Sequence, residues 1–177
     1  MRILAIDPGT TASAWVVWDG HDIFAHGKDP NERVLSMILR HDINGSWVAA
    51  CVIEMVASFG MPVGAEVFET VYWIGRFAQA FDSSTPLQCI PSAVTRITRN
   101  EIKNHLCHSS RAKDANIRQA IIDRLGPPGT KKTPGGTYGI SGDVWSALAV
   151  ALTWWDTHHA VHRESGPLFE AQNDIAI

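Results

Sequence analysis

The chain has 177 residues, 45% of them hydrophobic, with 15 Lys and Arg against 18 Asp and Glu for a formal net charge of −3. That is enough to bury a core as one domain without disulfide or metal staples, and no run of about 18 apolar residues is available to span a membrane. Cys51, Cys89 and Cys107 have no metal-like spacing, and the N-terminus goes straight into a strand-like segment with no basic n-region or cleavage site of a signal peptide, so the expectation is a cytoplasmic protein with reduced thiols.

Residues 2 to 7 form a strongly apolar run that ends in Asp7-Pro8-Gly9-Thr10. Pro8 has no N–H and fixes φ, and Gly9 permits a tight reversal, so a strand ends there with a carboxylate at its tip. Taken alone, Asp7 reads equally well as an Asx turn or as a functional group. Ser13 to Trp18 predicts a second strand, and Asp19-Gly20 a hairpin into a third over His21 to His26. A helix follows over Glu32 to Arg40, then a fourth strand over Trp47 to Met55 and a long amphipathic helix over Val63 to Phe81. Leu87 to Ile90 is the expected fifth strand, and from Ser92 onward the pattern reads as helical, with helices over Lys113 to Leu125 and Val144 to His159. Between those two helices lies a loop rich in Gly, Pro, Thr and Lys.

This order predicts an α/β, ribonuclease-H-like architecture: a five-stranded mixed sheet, three strands antiparallel and two parallel, with helices on both faces. One domain spans 1 to 163, and 164 to 177 is an irregular tail. Residues 96 to 132 carry nine Lys or Arg against three Asp or Glu, which leaves six against fifteen elsewhere. A basic segment on an otherwise acidic chain fits a polyanion, although an uneven helix face would look the same.

Glu54 lies inside the apolar run Cys51-Val52-Ile53-Glu54-Met55. A charge there is costly to bury unless it is paired or bound to a cation. With the fourth strand beside the first, Glu54 and Asp7 become neighbours. Asp143 opens the last helix, where a carboxylate is favoured by capping and dipole alone, but where it also faces Asp7 across one cleft. Three hard oxygen donors without Cys or His call for Mg²⁺, with Mn²⁺ able to substitute, and a pair of such ions roughly 4 Å apart is an arrangement for phosphodiester hydrolysis.

Three motifs in this order resemble the RuvC family of Holliday-junction resolvases. They are Ile6-Asp7-Pro8-Gly9-Thr10, Ile53-Glu54-Met55-Val56, and Gly142-Asp143 followed by Ser146-Ala147-Leu148-Ala149-Val150-Ala151-Leu152. The tract from Glu54 through Gly64 and Trp73 to Phe77 is similar to RuvC-like proteins of bacteriophages, and the resemblance covers about residues 1 to 157. It implies a homodimeric endonuclease that cuts branched double-stranded DNA with Asp7, Glu54 and Asp143 as catalytic, metal-binding carboxylates, located in the host cytoplasm if phage-encoded. It also implies DNA contacts by Lys113 and Lys103, to which the basic segment adds Arg111, Arg96 and Arg99. The family often carries a second acidic residue one turn after the first on its last helix; here that place is Ser146, a weak ligand, with Asp114 and Asp156 as spare carboxylates.

Phe59 could stack on an unpaired base or pack on its own domain. The long helix over 63 to 81, bearing Tyr72, Trp73, Ile74 and Phe77, is the expected dimer surface, with core packing as its rival. His158, His159, His162, His105 and Cys107 read as structural. Two other functions compete with the nuclease: a non-catalytic DNA-binding or packaging accessory, favoured by Ser146, and a nucleotide-binding domain of the actin or sugar-kinase type. The latter needs two such domains, so no nucleotide cofactor is expected.

Overall fold

The computed structural model describes residues 1–40, 42–57, 60, 62–84 and 94–159. Its sheet holds five strands in the order β3-β2-β1-β4-β5. These are β1 (Ile3–Asp7), β2 (Ala12–Trp18), β3 (Ile23–Pro30), β4 (Ala50–Met55) and β5 (Val94–Thr98). β1–β2 and β2–β3 pair antiparallel; β1–β4 and β4–β5 pair parallel. The helices are α1 (Asn31–Leu39), α2 (Ala65–Ser84), α3 (Arg99–Cys107), α4 (Asp114–Leu125) and α5 (Val144–Trp154), the last continuing as a π-helical turn over Trp155–His159. This is the expected α/β class and mixed sheet. Among the described residues no helix is long and apolar enough to cross a membrane.

Strand alternation divides the core in two. Ile3, Ala5, Ala14, Val16, Ala50 and Val52 face α3, α4 and α5. Leu4, Ile6, Val17, Cys51 and Ile53 face α1 and α2. α5 runs under the middle of the sheet, and Ala147, Leu148, Ala149, Val150, Ala151 and Leu152 are all fully buried. Its alanines let the helix approach closely, while each fully buried Leu or Val contributes roughly 1.5–3 kcal/mol.

Two expectations require correction. The helical reading from Ser92 onward fails at Val94–Thr98, which pairs with β4 as the fifth strand. Four of its five residues are β-branched, and that stiffness favours a strand over a helix. The segment 87 to 90 lies outside the described residues. β3 also runs four residues past His26, to Pro30, because the pairing with β2 continues through Lys28↔Ala14 and Ala12↔Pro30. α3 begins at a capping box in which Thr98 and Glu101 satisfy each other's backbone N–H groups.

Candidate active site

β1 and β4 lie side by side in parallel, with Ala5 opposite Val52. Asp7 and Glu54 continue the Ala5 and Val52 side of their strands, so both point to the α5 face. Burial pushes the Asp7 carboxyl up to about 7, and the nearby charges of Glu54 and Asp143 add to that rise. Arg99 and a hydrogen bond from Ser146 pull it back only partly. Burial likewise raises Glu54, against the lowering influence of Arg99.

A buried ring of hydrogen bonds fixes the turn that follows Asp7. Gly9 N donates to Ser13 Oγ (3.3 Å), Ser13 Oγ donates to Asn31 Oδ1 (2.7 Å), and Asn31 Nδ2 donates to the Gly9 carbonyl (2.9 Å). Ser13 and Asn31 are almost wholly buried, and Asn31 N also donates to the Thr11 carbonyl. A Cβ on Gly9 would collide with the Ala12 carbonyl oxygen, so only glycine fits.

Cations flank the carboxylates on both sides. Arg99, the first residue of α3, donates from Nη1 to Glu54 Oε2 at 3.3 Å and from Nη2 to Asp114 Oδ1 at 2.5 Å. On the other side, Lys28 Nζ lies 2.5 Å from Asp143 Oδ2. The hydrogen bond to Asp143 raises the Lys28 ammonium, with Asp7 adding to the effect. Lys28 gets there by register: Asp7 stands opposite Ala14, and Ala14 opposite Lys28, so all three share one face.

A cleft of about 380 Å³ opens beside this cluster, walled by Arg99, Asp114, Arg118, Asp143, Trp145 and Ser146. The Arg118 guanidinium lies over the Trp145 ring, 4.8 Å from its centroid. A larger groove of about 580 Å³ between α1 and α2 lies on the opposite side of the sheet, far from the carboxylates, and is lined mainly by apolar side chains such as Leu35, Leu39, Val71 and Tyr72.

The structure thus brings Asp7, Glu54, Asp143, Ser146, Arg99 and Asp114 together, with Lys103 close enough to Glu54 to lower its pKa. Lys113 sits at the N-cap of α4, directly before Asp114, and Arg111 lies two residues earlier. Three expectations change. Arg96 stands in register with Ile53, and by alternation on the other face of the sheet from Glu54, so it does not line the cleft. Asp156 is no spare ligand: Arg124 bonds it through both amino groups (2.5 and 2.7 Å) and His105 Nε2 lies 2.7 Å away. It lies in the π-helical turn beyond α5, thirteen residues from Asp143 and roughly 20 Å away at the helical rise. Trp73, Ile74 and Phe77 are buried in the core, leaving Tyr72 as the exposed member of the proposed dimer surface. Phe59 lies outside the described residues. Lys28 and Arg118 were not assigned to the site from the sequence; extending β3 by its pairing with β2 is the signal that would have found Lys28.

Among the described residues no three His, Cys, Asp or Glu side chains already stand as a ligand set, and Asp143 and Glu54 are instead paired with Lys28 and Arg99. The donor chemistry nevertheless suits a hard divalent cation. The donors are all oxygens, and the central carboxylate is raised to about 7 by burial and by the like charges of Glu54 and Asp143, which a bound cation would offset.

No family model matches the chain, and no curated protein matches it. Among solved structures, Thermus thermophilus RuvC bound to a Holliday junction superposes with a TM-score of 0.63 at 18% identity, covering 95% of this chain and 99% of that one. A second Thermus thermophilus RuvC structure gives 0.63 at 17% identity, over 93% and 96%. A fowlpox virus Holliday junction resolvase aligns at 0.42 and 13% identity over 89% and 99%, too loose a likeness to argue from. At these identities the likeness establishes the fold: it is RuvC-like.

Proposed function

We propose that this chain of RuvC-like fold is a divalent-metal-dependent, structure-selective endonuclease that resolves Holliday junctions or other branched DNA by phosphodiester hydrolysis. One observation carries the reading: a largely buried carboxylate at the tip of the central strand, raised to about 7 by burial beside Glu54 and Asp143, next to a cleft whose walls include Arg99 and Arg118. Such a cluster costs folding free energy and gains a purpose only when a cation and a polyanion occupy it.

Asp7 and Glu54 are the residues that would hold Mg²⁺ or Mn²⁺, with Asp143 beside them. The bound ion would supply activation of the attacking water and stabilisation of the leaving oxygen. Arg99, tethered by Asp114, keeps Glu54 oriented and offers a donor to a phosphate oxygen. Ser146 holds the Asp7 carboxylate in place. Lys103, Lys113, Arg111 and Arg118 form the rim that binds the DNA backbone. Arg118 is pre-organised by Trp145, so it loses less freedom on binding.

A second copy of the chain is the partner this reading implies, as a homodimer. Phe68, Val71 and Tyr72 of α2 and Leu39 of α1 are exposed apolar side chains on one side of the molecule, on the face opposite the carboxylates. The test is a cleavage assay with four-way, forked and flapped DNAs in Mg²⁺ and Mn²⁺. Cutting of at least one branched substrate, lost in Asp7→Asn, is the expected result; tight junction binding with no cutting in either metal favours instead a non-catalytic DNA-binding accessory. Ser146 and the two cations already paired with carboxylates are what support that second reading.

A further inference from the structure

Resting on the nuclease reading, we propose that the Lys28 ammonium serves as the second positive charge of the site, so that a single divalent ion per protomer suffices. Three observations converge on it. Lys28 is placed by β-sheet register on the same row and face as Asp7, and its ammonium sits on Asp143. Ser146, where a further carboxylate could complete the ligands of a second ion, is a neutral hydroxyl already engaged with Asp7. Arg99 does the matching work on the β4 side, bound to Glu54 and leashed by Asp114.

Charge decides between one ion and two. Four carboxylates (Asp7, Glu54, Asp114 and Asp143) face two cations held in ion pairs, Lys28 and Arg99, a deficit of at most two that Lys103 near Glu54 and Arg118 on the cleft wall reduce further. One divalent ion covers that deficit before the substrate arrives, whereas two would leave the empty site with a surplus of at least two. The ligand geometry points the same way. Asp7 and Glu54 are each other's neighbours, while one oxygen of Asp143 is committed to Lys28. Half exposed on an ordered strand, Lys28 can turn its remaining N–H groups toward a phosphoryl oxygen without leaving Asp143. Its contribution is electrostatic: water attacks phosphorus and loses a proton to solvent, the P–O bond breaks and the leaving oxygen takes up a proton from solvent, and the ammonium stabilises the added negative charge without changing protonation.

The experiment is calorimetric titration of Mn²⁺ into the full chain without DNA, beside cleavage kinetics on a four-way junction and circular dichroism for folding. The wild type should bind one Mn²⁺ per protomer. Lys28→Met should stay folded and cut on the order of 100-fold more slowly, with Lys28→Arg recovering part of the rate. The double variant Lys28→Met/Ser146→Asp should bind two ions, because it exchanges the internal cation for a carboxylate. Two ions per protomer in the wild type, no Mn²⁺ bound at millimolar concentration, or full activity in Lys28→Met would each overturn the proposal. Cleavage by a wild type that binds two ions would spare the nuclease reading while ending this one. One ion bound with no DNA cut would instead retire the nuclease reading and leave the stoichiometry standing.

Discussion

Asp7 works against the fold that holds it. Its carboxyl is raised from 3.8 to about 7 by burial and by like charges, so the folded state keeps a proton that the unfolded chain has already released. The linkage therefore has a definite sign. Stability from this group is complete below pH 4 and is lost as pH rises through 7, a swing on the order of a few kcal/mol. Glu54 is shifted in the same direction, whereas Asp156 is lowered by Arg124 and His105 despite its burial, so its contribution is lost only in acid. Urea unfolding in EDTA from pH 4 to 8 should show the protein losing stability toward pH 8. Asp7→Asn should flatten that slope and raise the midpoint at pH 8, while reducing cleavage at least a thousandfold. An unchanged slope in this variant would mean that Asp7 is not the buried acid described here. The ring around Gly9 allows a second test at the same scale. Asn31→Ala removes two of its hydrogen bonds and strands a buried Ser13 hydroxyl, at a cost of roughly 1–3 kcal/mol. It should also weaken Mn²⁺ binding, a change that general destabilisation of a still-folded protein would not produce.

Elements differ in how plainly the sequence announces them. β1, β2, β4 and the long helices were legible because their apolar periods are strong, and Asp7, Glu54 and Asp143 could be paired once the strand order was known. β5 was not legible. Its five residues sit next to a helical stretch and alternate too briefly to stand out, and β-branching was the only signal. Lys28 was hidden for a different reason: its role depends on cross-strand register through two hairpins, which residue patterning does not encode. Asp156 was misjudged by its chemistry alone, although counting residues through α5 and the turn beyond it already puts it about 20 Å from Asp143. It ties α3 and α4 to the end of α5 through His105 and Arg124, so Asp156→Ala should destabilise the protein by roughly 1–3 kcal/mol while sparing the metal affinity of the intact fold. Denaturant midpoints beside Mn²⁺ titration would check this. At the other end of α3, Thr98→Ala breaks the capping box that holds Arg99 at the helix start. It should cost about 0.5–2 kcal/mol and also slow cleavage, because Arg99 loses its fixed origin.

The whole molecule is acidic, yet Arg99, Lys103 and Arg118 gather at the cleft with Lys113 beside them at the start of α4, so DNA binding should be strongly salt-dependent. Lys113→Ala should weaken binding to all branched substrates alike and make the salt slope shallower by about one unit, as expected for one lost phosphate contact. A loss confined to particular sequences would assign Lys113 to base reading instead. On the far side of the sheet, Phe68→Glu should shift a dimer toward monomer in light scattering while leaving Mn²⁺ binding unchanged.

The alternation of β1 and β4 reaches beyond packing. Ala5, Asp7, Val52 and Glu54 face the chemistry, while Leu4, Ile6, Cys51 and Ile53 support the helices of the proposed assembly face. The proposed cutting and assembly thus fall on alternate letters of the same two words. A lineage can respell one without garbling the other, and substitutions drawn from the two sets should combine additively in stability.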